Sequence, residues 1–436
     1  MAMKRFYPSM HIIKGMAFIK TNAAMWINVV ICSLLVCAAG ISGENEIQKA
    51  IEVRKQGHYL KAIEYLLQMI SKDPESVEAN IELGTNYSKK GELDQAVRYY
   101  QRAIELNPKS LSAHYNLGVV FARKKLFEDA KTEYQTAIEL DPSQSLPYYQ
   151  LGLVFEQTAQ FQRAVSEYLR AIQRDPDNTS AYYRTATTYY RLGNQAQGDR
   201  YLKTFQFMKA QSRYETAETA LKKRDIQEAL KQYQRAIDMA SDFAPAYARL
   251  GAVAFQRKDR AKAMSYYQSY VELKPNSIKA HQMLGSIALQ SNEFETAKAE
   301  FEKVTDTEAN NPYPFYGLGT ACLRLVQHKD GVKHLKKSLQ IDPDFAPSCQ
   351  VLASHYLQHD QNFNEAYELA KHAVMCAKPS EPIASYWNTL AFAMYKLQNY
   401  TNALQAIEEA LKIQPHQLEY LDNRKRITDA IQNKNR

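Results

Sequence analysis

With 436 residues, 45% hydrophobic and 23% charged, the chain is long enough to bury a large core and is too apolar for wholesale disorder. Glycine and proline number only 15 each, which excludes a loop-rich β protein and makes helix the expectation. Half of the net charge of +8 falls on Lys4, Arg5, Lys14 and Lys20, and the rest is dispersed apart from a small group at Arg424, Lys425 and Arg426. Nothing is gathered into the basic face that a polyanion needs, and no nucleic-acid partner is expected.

The first element is "AAMWINVVICSLLVCAAGISG", residues 23–43, which follows those four positive charges. A basic stretch, an apolar run and a close of small residues are the parts of a secretory signal, here with cuts after Gly40 or Gly43. The competing reading is an uncleaved anchor, since Ala23 to Ile41 approaches the length that spans a bilayer. Asn28 and Ser33 dilute the apolar run and favour cleavage. Both readings place the remainder outside the cytoplasmic membrane, exported or periplasmic. A lipoprotein cut before Cys37 is disfavoured, because Val36 stands where a small residue is wanted. The cysteines beyond this segment, Cys322, Cys349 and Cys376, are odd in number and lie in apolar helical contexts. They read as small buried hydrophobes rather than a disulfide framework.

From Gly43 to Pro415 the chain repeats itself. Pro74, Pro108, Pro142 and Pro176 fall 34 residues apart, and Pro275 and Pro343 twice that. In "LGTNYSKKGELDQAVRYYQRAIELNP", residues 83–108, the recurring positions are Leu83, Gly84, Tyr87, Ala96, Tyr100, Ala103 and Pro108. Eleven such units can be aligned. The residue after the leucine slot is Gly or Ala in each, from Ala50 to Ala391, and the first small residue of the second helix runs from Ala62 to Ala403 with Gly198 and Gly331 in two units. Small residues let two helices approach, while leucine and aromatic side chains interlock around the gap. Gly57, Gly91 and Gly193 suit a left-handed helix end, and Asn-Pro or Asp-Pro stops the second helix.

These positions resemble the tetratricopeptide repeat, a helix–turn–helix unit of about 34 residues. The resemblance implies an all-α fold, a right-handed α-solenoid of about eleven repeats. Residues 416–436, "HQLEYLDNRKRITDAIQNKNR", read as a C-terminal capping helix with a polar tail. The stacking follows from physics, because one hairpin leaves an apolar face that only a neighbour can cover. Three places depart from the pattern. From the fifth unit to the sixth the step is 31 residues, and "FQFMKAQSRY" replaces the proline turn. This divides the array near residue 209 into a first lobe of about five repeats (44–209) and a second of about six (210–415), with a bend expected at the join. The tenth unit carries one extra residue in "HDQNFNEA", and an insert around "AKPSEPIAS" precedes the eleventh.

No Walker loop, G-x-S-x-G or H-E-x-x-H occurs. His355 and His359 lie one helical turn apart and could share a metal. Zinc needs three or four ligands, and no third is evident nearby in sequence. Neither metal nor cofactor is therefore expected, and the chain reads as no enzyme. A metal-binding or enzyme-associated subunit acting through His355 and His359 is the alternative of another class.

Tyrosine is the outlier, at 30 residues. Tyr87, Tyr100, Tyr134, Tyr168, Tyr189, Tyr233 and Tyr267 fill packing slots. A second set lies out of phase on the first helices, on a face that helical geometry points away from the second helix: Tyr115, Asn116 and Arg123; Tyr149, Gln150 and Gln157; Tyr183, Arg184, Tyr190 and Arg191; then Tyr214. In tetratricopeptide arrays this face lines a concave groove that holds partner peptides, and Tyr and Arg are the types enriched at interface hot spots. The competing expectation is that these rings merely pack against neighbouring first helices. The resulting reading is a non-enzymatic scaffold or adaptor for a protein or peptide partner, with an assembly chaperone for envelope or secreted complexes as its rival.

Overall fold

The computed structural model describes residues 46–434, and every regular element among them is helical. The expected signal or anchor, residues 1–43, lies outside the described residues. No described helix is long and apolar enough to cross a membrane.

The chain divides into two units, at Met208 and Lys209. The first unit begins with α1 (46–55), α2 (Tyr59–Lys72), α3 (Val77–Lys90), α4 (Leu93–Leu106) and α5 (Leu111–Arg123). It continues through α6 (Phe127–Leu140), α7 (Ser145–Gln157), α8 (Phe161–Arg174) and α9 (Thr179–Arg191). Next comes α10 (Gln195–Lys222), a continuous helix of 28 residues. The second unit carries on with α11 (Ile226–Met239), α12 (Ala244–Gln256), α13 (Arg260–Leu273), α14 (Ile278–Gln290), α15 (Phe294–Thr305) and α16 (Pro312–Arg324). It ends with α17 (His328–Ile341), α18 (Ala346–Gln358), α19 (Phe363–Cys376), α20 (Ile383–Lys396), α21 (Tyr400–Ile413) and α22 (Leu418–Lys434).

Each hairpin closes on the small residues that recur in the sequence. Ala96, Ala103, Ala130 and Ala137 are fully buried, as are Ala164, Ala171, Ala229 and Ala236. At Gly118 a methyl group would meet the Tyr134 ring at 2.8 Å, so the glycine is what lets the tyrosine lie flat across the first helix. The same Gly–aromatic pair recurs at Gly84 with Tyr100 and at Gly285 with Phe301. Opposite Leu66 and Ile407 alanine takes the small position at Ala50 and Ala391, while Gly319 keeps it opposite Leu335.

The turns follow from local chemistry. Gly57, Gly91 and Gly193 have φ of 86°, 93° and 75°, the left-handed conformation expected of them. In other repeats non-glycine residues hold the same place, among them Ala159 (φ 58°) and Val326 (φ 64°). Where Asn-Pro or Asp-Pro follows, the second helix stops at an extended residue before the proline, as at Asn107 (φ −140°), whose side chain accepts the Lys109 amide at 3.0 Å. Ser76, Ser110 and Ser277 then cap the next helices by accepting amides three residues on. The extra residue of the tenth repeat sits in the α18–α19 turn, where both Asp360 and Asn362 take positive φ.

Within each unit the helices pack in sequence order, each against the next. First helices of consecutive repeats also meet one another, α3 with α5 and α5 with α7 in the first unit, and α16 with α18 and α18 with α20 in the second. At the far end α22 buries Tyr420 and Ile427 in one cluster with Leu390, Ile407 and Leu411.

Candidate functional site

The face formed by α5, α7 and α9 carries the expected tyrosines, but their rings are not turned wholly outward. Tyr115 is half-buried with its ring 6.1 Å from Tyr134, and Tyr149 lies 5.8 Å from Tyr168. Each first-helix tyrosine thus leans on the core tyrosine of its own repeat, 19 residues later. Tyr190 departs from its expected place: its ring covers Gly198 on α10, and its hydroxyl donates to Asp199 at 2.7 Å. It occupies the slot that Glu156 holds one repeat earlier, and its ring closes the α9–α10 hairpin beside this face. Tyr183 is the most open of the set, 43% exposed, with its ring 5.2 Å from Phe205.

Polar tips on this face tie one first helix to the one before it. Arg123 donates to the Ser88 carbonyl at 2.7 Å and to its hydroxyl at 2.8 Å. Gln150 donates to the Tyr115 hydroxyl at 3.5 Å. Arg191 and Arg184 reach Glu156 at 3.0 and 3.7 Å. In the second unit Arg249 donates to the Tyr214 hydroxyl at 3.2 Å, and the Tyr214 ring rests 5.5 Å from Tyr233. Most of these links span one repeat and one residue more, because the next first helix is offset by that much along the stack. The sequence holds the complementary pairs, but they become visible only once that register is known.

Glu156 is the electrostatic centre of the first unit's face. Its side chain is 6% exposed and accepts the Tyr168 hydroxyl at 2.7 Å. Burial, followed by this hydrogen bond to a carboxylate, drives the Tyr168 phenol far above its ordinary range, so the ring stays neutral and donates. Two guanidiniums facing one carboxylate leave a net positive charge, and Arg184 and Arg191 remain 41% and 53% exposed. Asn116 and Gln157 complete the surface and make no side-chain hydrogen bond or ion pair among the described residues.

Two further clusters bring together donor atoms that could hold a metal: His328 with His355 and His359, and Asp344 with His372 and Cys376. The first joins the pair anticipated on α18 to a histidine of α17. Burial first, then His359 and His328, lowers the His355 pKa. Buried histidines elsewhere are structural. His114 engages Glu133 at 2.6 Å and the Pro108 carbonyl at 3.0 Å, and His281 repeats this with Glu300 and Pro275. Neither histidine–glutamate pair was anticipated, although the 19-residue spacing that pairs the tyrosines marks both. The cysteines Cys322, Cys349 and Cys376 are free; the first two are buried, as expected, and Cys376 is only partly so.

Comparison with known proteins agrees with this architecture. Family profiles described as "TPR repeat" and "Tetratricopeptide repeat" match residues 84–125, 111–144, 149–198, 214–278, 278–311 and 384–417. No curated protein matches the chain. Among solved structures, "Crystal structure of MamA" is 22% identical, covering 43% of this chain and 96% of its own, with a TM-score of 0.34. "MamA 41-end from Desulfovibrio magneticus RS-1" is 17% identical over 37% of this chain and 92% of its own, with a TM-score of 0.35. The matched stretches together cover more than half of the chain and coincide with its helical hairpins: the protein belongs to the tetratricopeptide repeat family.

Proposed function

We propose that the protein is a non-enzymatic interaction scaffold that holds a protein or peptide partner on the face of α5, α7 and α9, outside the cytoplasmic membrane. The observation that carries this reading is the half-exposed group of Tyr149, Tyr183, Arg184 and Arg191 around buried Glu156. Aromatic area, directional polar tips and one surplus positive charge favour an extended segment with a carboxylate set near an apolar side chain. Asn116 and Gln157 supply amides for its backbone. Export rests on the basic, apolar and small-residue parts of residues 1–43.

The test is affinity purification of the exported form, compared with the double variant Tyr183→Ala and Arg191→Ala. Tyr183 and Arg191 are the most exposed members of the group, at 43% and 53%, and circular dichroism of the double variant checks that the fold survives loss of the Arg191 contact to Glu156. Partner capture should drop about tenfold or more. Unchanged capture by the folded double variant excludes this face, and recovery of the protein in the cytoplasmic fraction excludes export.

A further inference from the structure

His355 and His359 stand one turn apart at the end of α18, and the fold brings His328, the first residue of α17, against both. Ring centroids are 5.2 Å apart for His328 and His355, 4.6 Å for His328 and His359, and 4.6 Å for His355 and His359. One nitrogen of each ring lies within 4.8 Å of those of the other two. Around a tetrahedral ion with bonds of about 2.0–2.1 Å, imidazole nitrogens stand about 3.4 Å apart, so modest side-chain rotations would close the set. The His328 and His355 rings are stacked at 30°, and the His359 ring is inclined to them by 66° and 56°.

The contrast with the other buried histidines is the telling one. His114 and His281 each use both ring nitrogens, on a glutamate and on a backbone carbonyl. Nδ1 of His328 is buried and has no hydrogen-bond partner in the protein. No side-chain hydrogen bond to a carboxylate or carbonyl holds His328, His355 or His359 among the described residues, and the one ring nitrogen cut off from solvent, Nδ1 of His328, is costly to bury without a partner. The second cluster does not have this character. Its His372 already hydrogen-bonds Asp344 at 2.9 Å, and the Asp344 side chain is 73% exposed.

We propose that His328, His355 and His359 form a binding site for one divalent transition-metal ion of the imidazole-preferring class, such as zinc, nickel or copper. Magnesium and calcium are poorly suited, for want of oxygen ligands. The ion clips the start of the ninth repeat's second helix to the end of the tenth repeat's first helix. It also bridges two turns that hold Val326 and Asp360 at positive φ. A fourth coordination position stays open to water or to a ligand from a partner.

The test uses the full chain without a histidine tag, stripped with chelator and titrated with Co(II), whose visible bands report tetrahedral geometry, and with Zn(II) by calorimetry. One equivalent should bind, and His359→Ala should weaken binding by about tenfold or more. His359 is exposed, so the variant keeps its fold; circular dichroism checks this. Cys376→Ser and Asp344→Asn should bind as the parent does. Failure to bind saturably, insensitivity to His359→Ala, or loss of binding on Cys376→Ser or Asp344→Asn instead would each overturn the assignment.

Discussion

Tyr134 and Tyr168 occupy the same position in consecutive repeats, and both are fully buried, yet their hydroxyls differ. The Tyr134 hydroxyl is buried without a hydrogen-bond partner, whereas that of Tyr168 donates to Glu156 at 2.7 Å. Tyr134→Phe should therefore be neutral or stabilise by up to about 1 kcal/mol, because it removes an unsatisfied polar atom. Tyr168→Phe should destabilise by about 1–3 kcal/mol, because it leaves a buried carboxylate short of a donor. Urea midpoints of the two variants check this, and equal shifts would show that the hydroxyls do not carry the difference. That both residues are core tyrosines was legible from the repeat. Which hydroxyl is satisfied depends on Glu156, in a slot that holds Ser88 in the second repeat and Ala122 in the third, and no periodic pattern records it.

At the scale of the element, backbone conformation is set by the repeat even where the residue resists it. The turn that Gly91 makes at φ 93° is made by Val326 at φ 64°, although a β-branched side chain is strained there. Val326 is 71% exposed, so its side chain contributes little packing in return. Val326→Gly should stabilise by about 1 kcal/mol despite the added freedom of the unfolded chain. Gly91→Ala should cost about the same amount, for the converse reason. Thermal melting of both variants checks the pair, and a lower melting temperature for Val326→Gly would contradict it. The glycine turns were legible because glycine names the conformation, whereas the valine turn is visible only through its alignment with the others. The 31-residue step was likewise plain in the sequence, but its outcome was not. The shortfall equals the few residues of an inter-repeat turn, and without them two helices run on as the single α10. His328 escaped notice for a related reason, since its partners lie a repeat away and the contact exists only once α17 and α18 are stacked.

For the molecule as a whole, stability in a stacked array is a sum of hairpins and of the interfaces between neighbours, so an end needs a cover. In the second unit that cover is α22. Tyr420 is 5% exposed and Ile427 1%, both in the cluster that contains Leu390, Ile407 and Leu411. Asn423 donates to Asn388 at 2.9 Å, and Asn388 donates to Glu419 at 3.0 Å. The capping role was legible because the segment is polar yet keeps Tyr420 and Ile427 two turns apart on one helical face, and it is that face which α21 receives. Removing residues 416–436 exposes the apolar side of α21, and losing the burial of those two side chains should cost about 3–6 kcal/mol. The loss should be local. Amide exchange should quicken in α20 and α21, while α11 to α13 of the same unit keep their protection, because they share no interface with the cap. Uniform loss of protection across α11 to α21 would mean that the unit folds as one cooperative block. Nearest-neighbour stacking would then be the wrong account of how this sequence holds its shape.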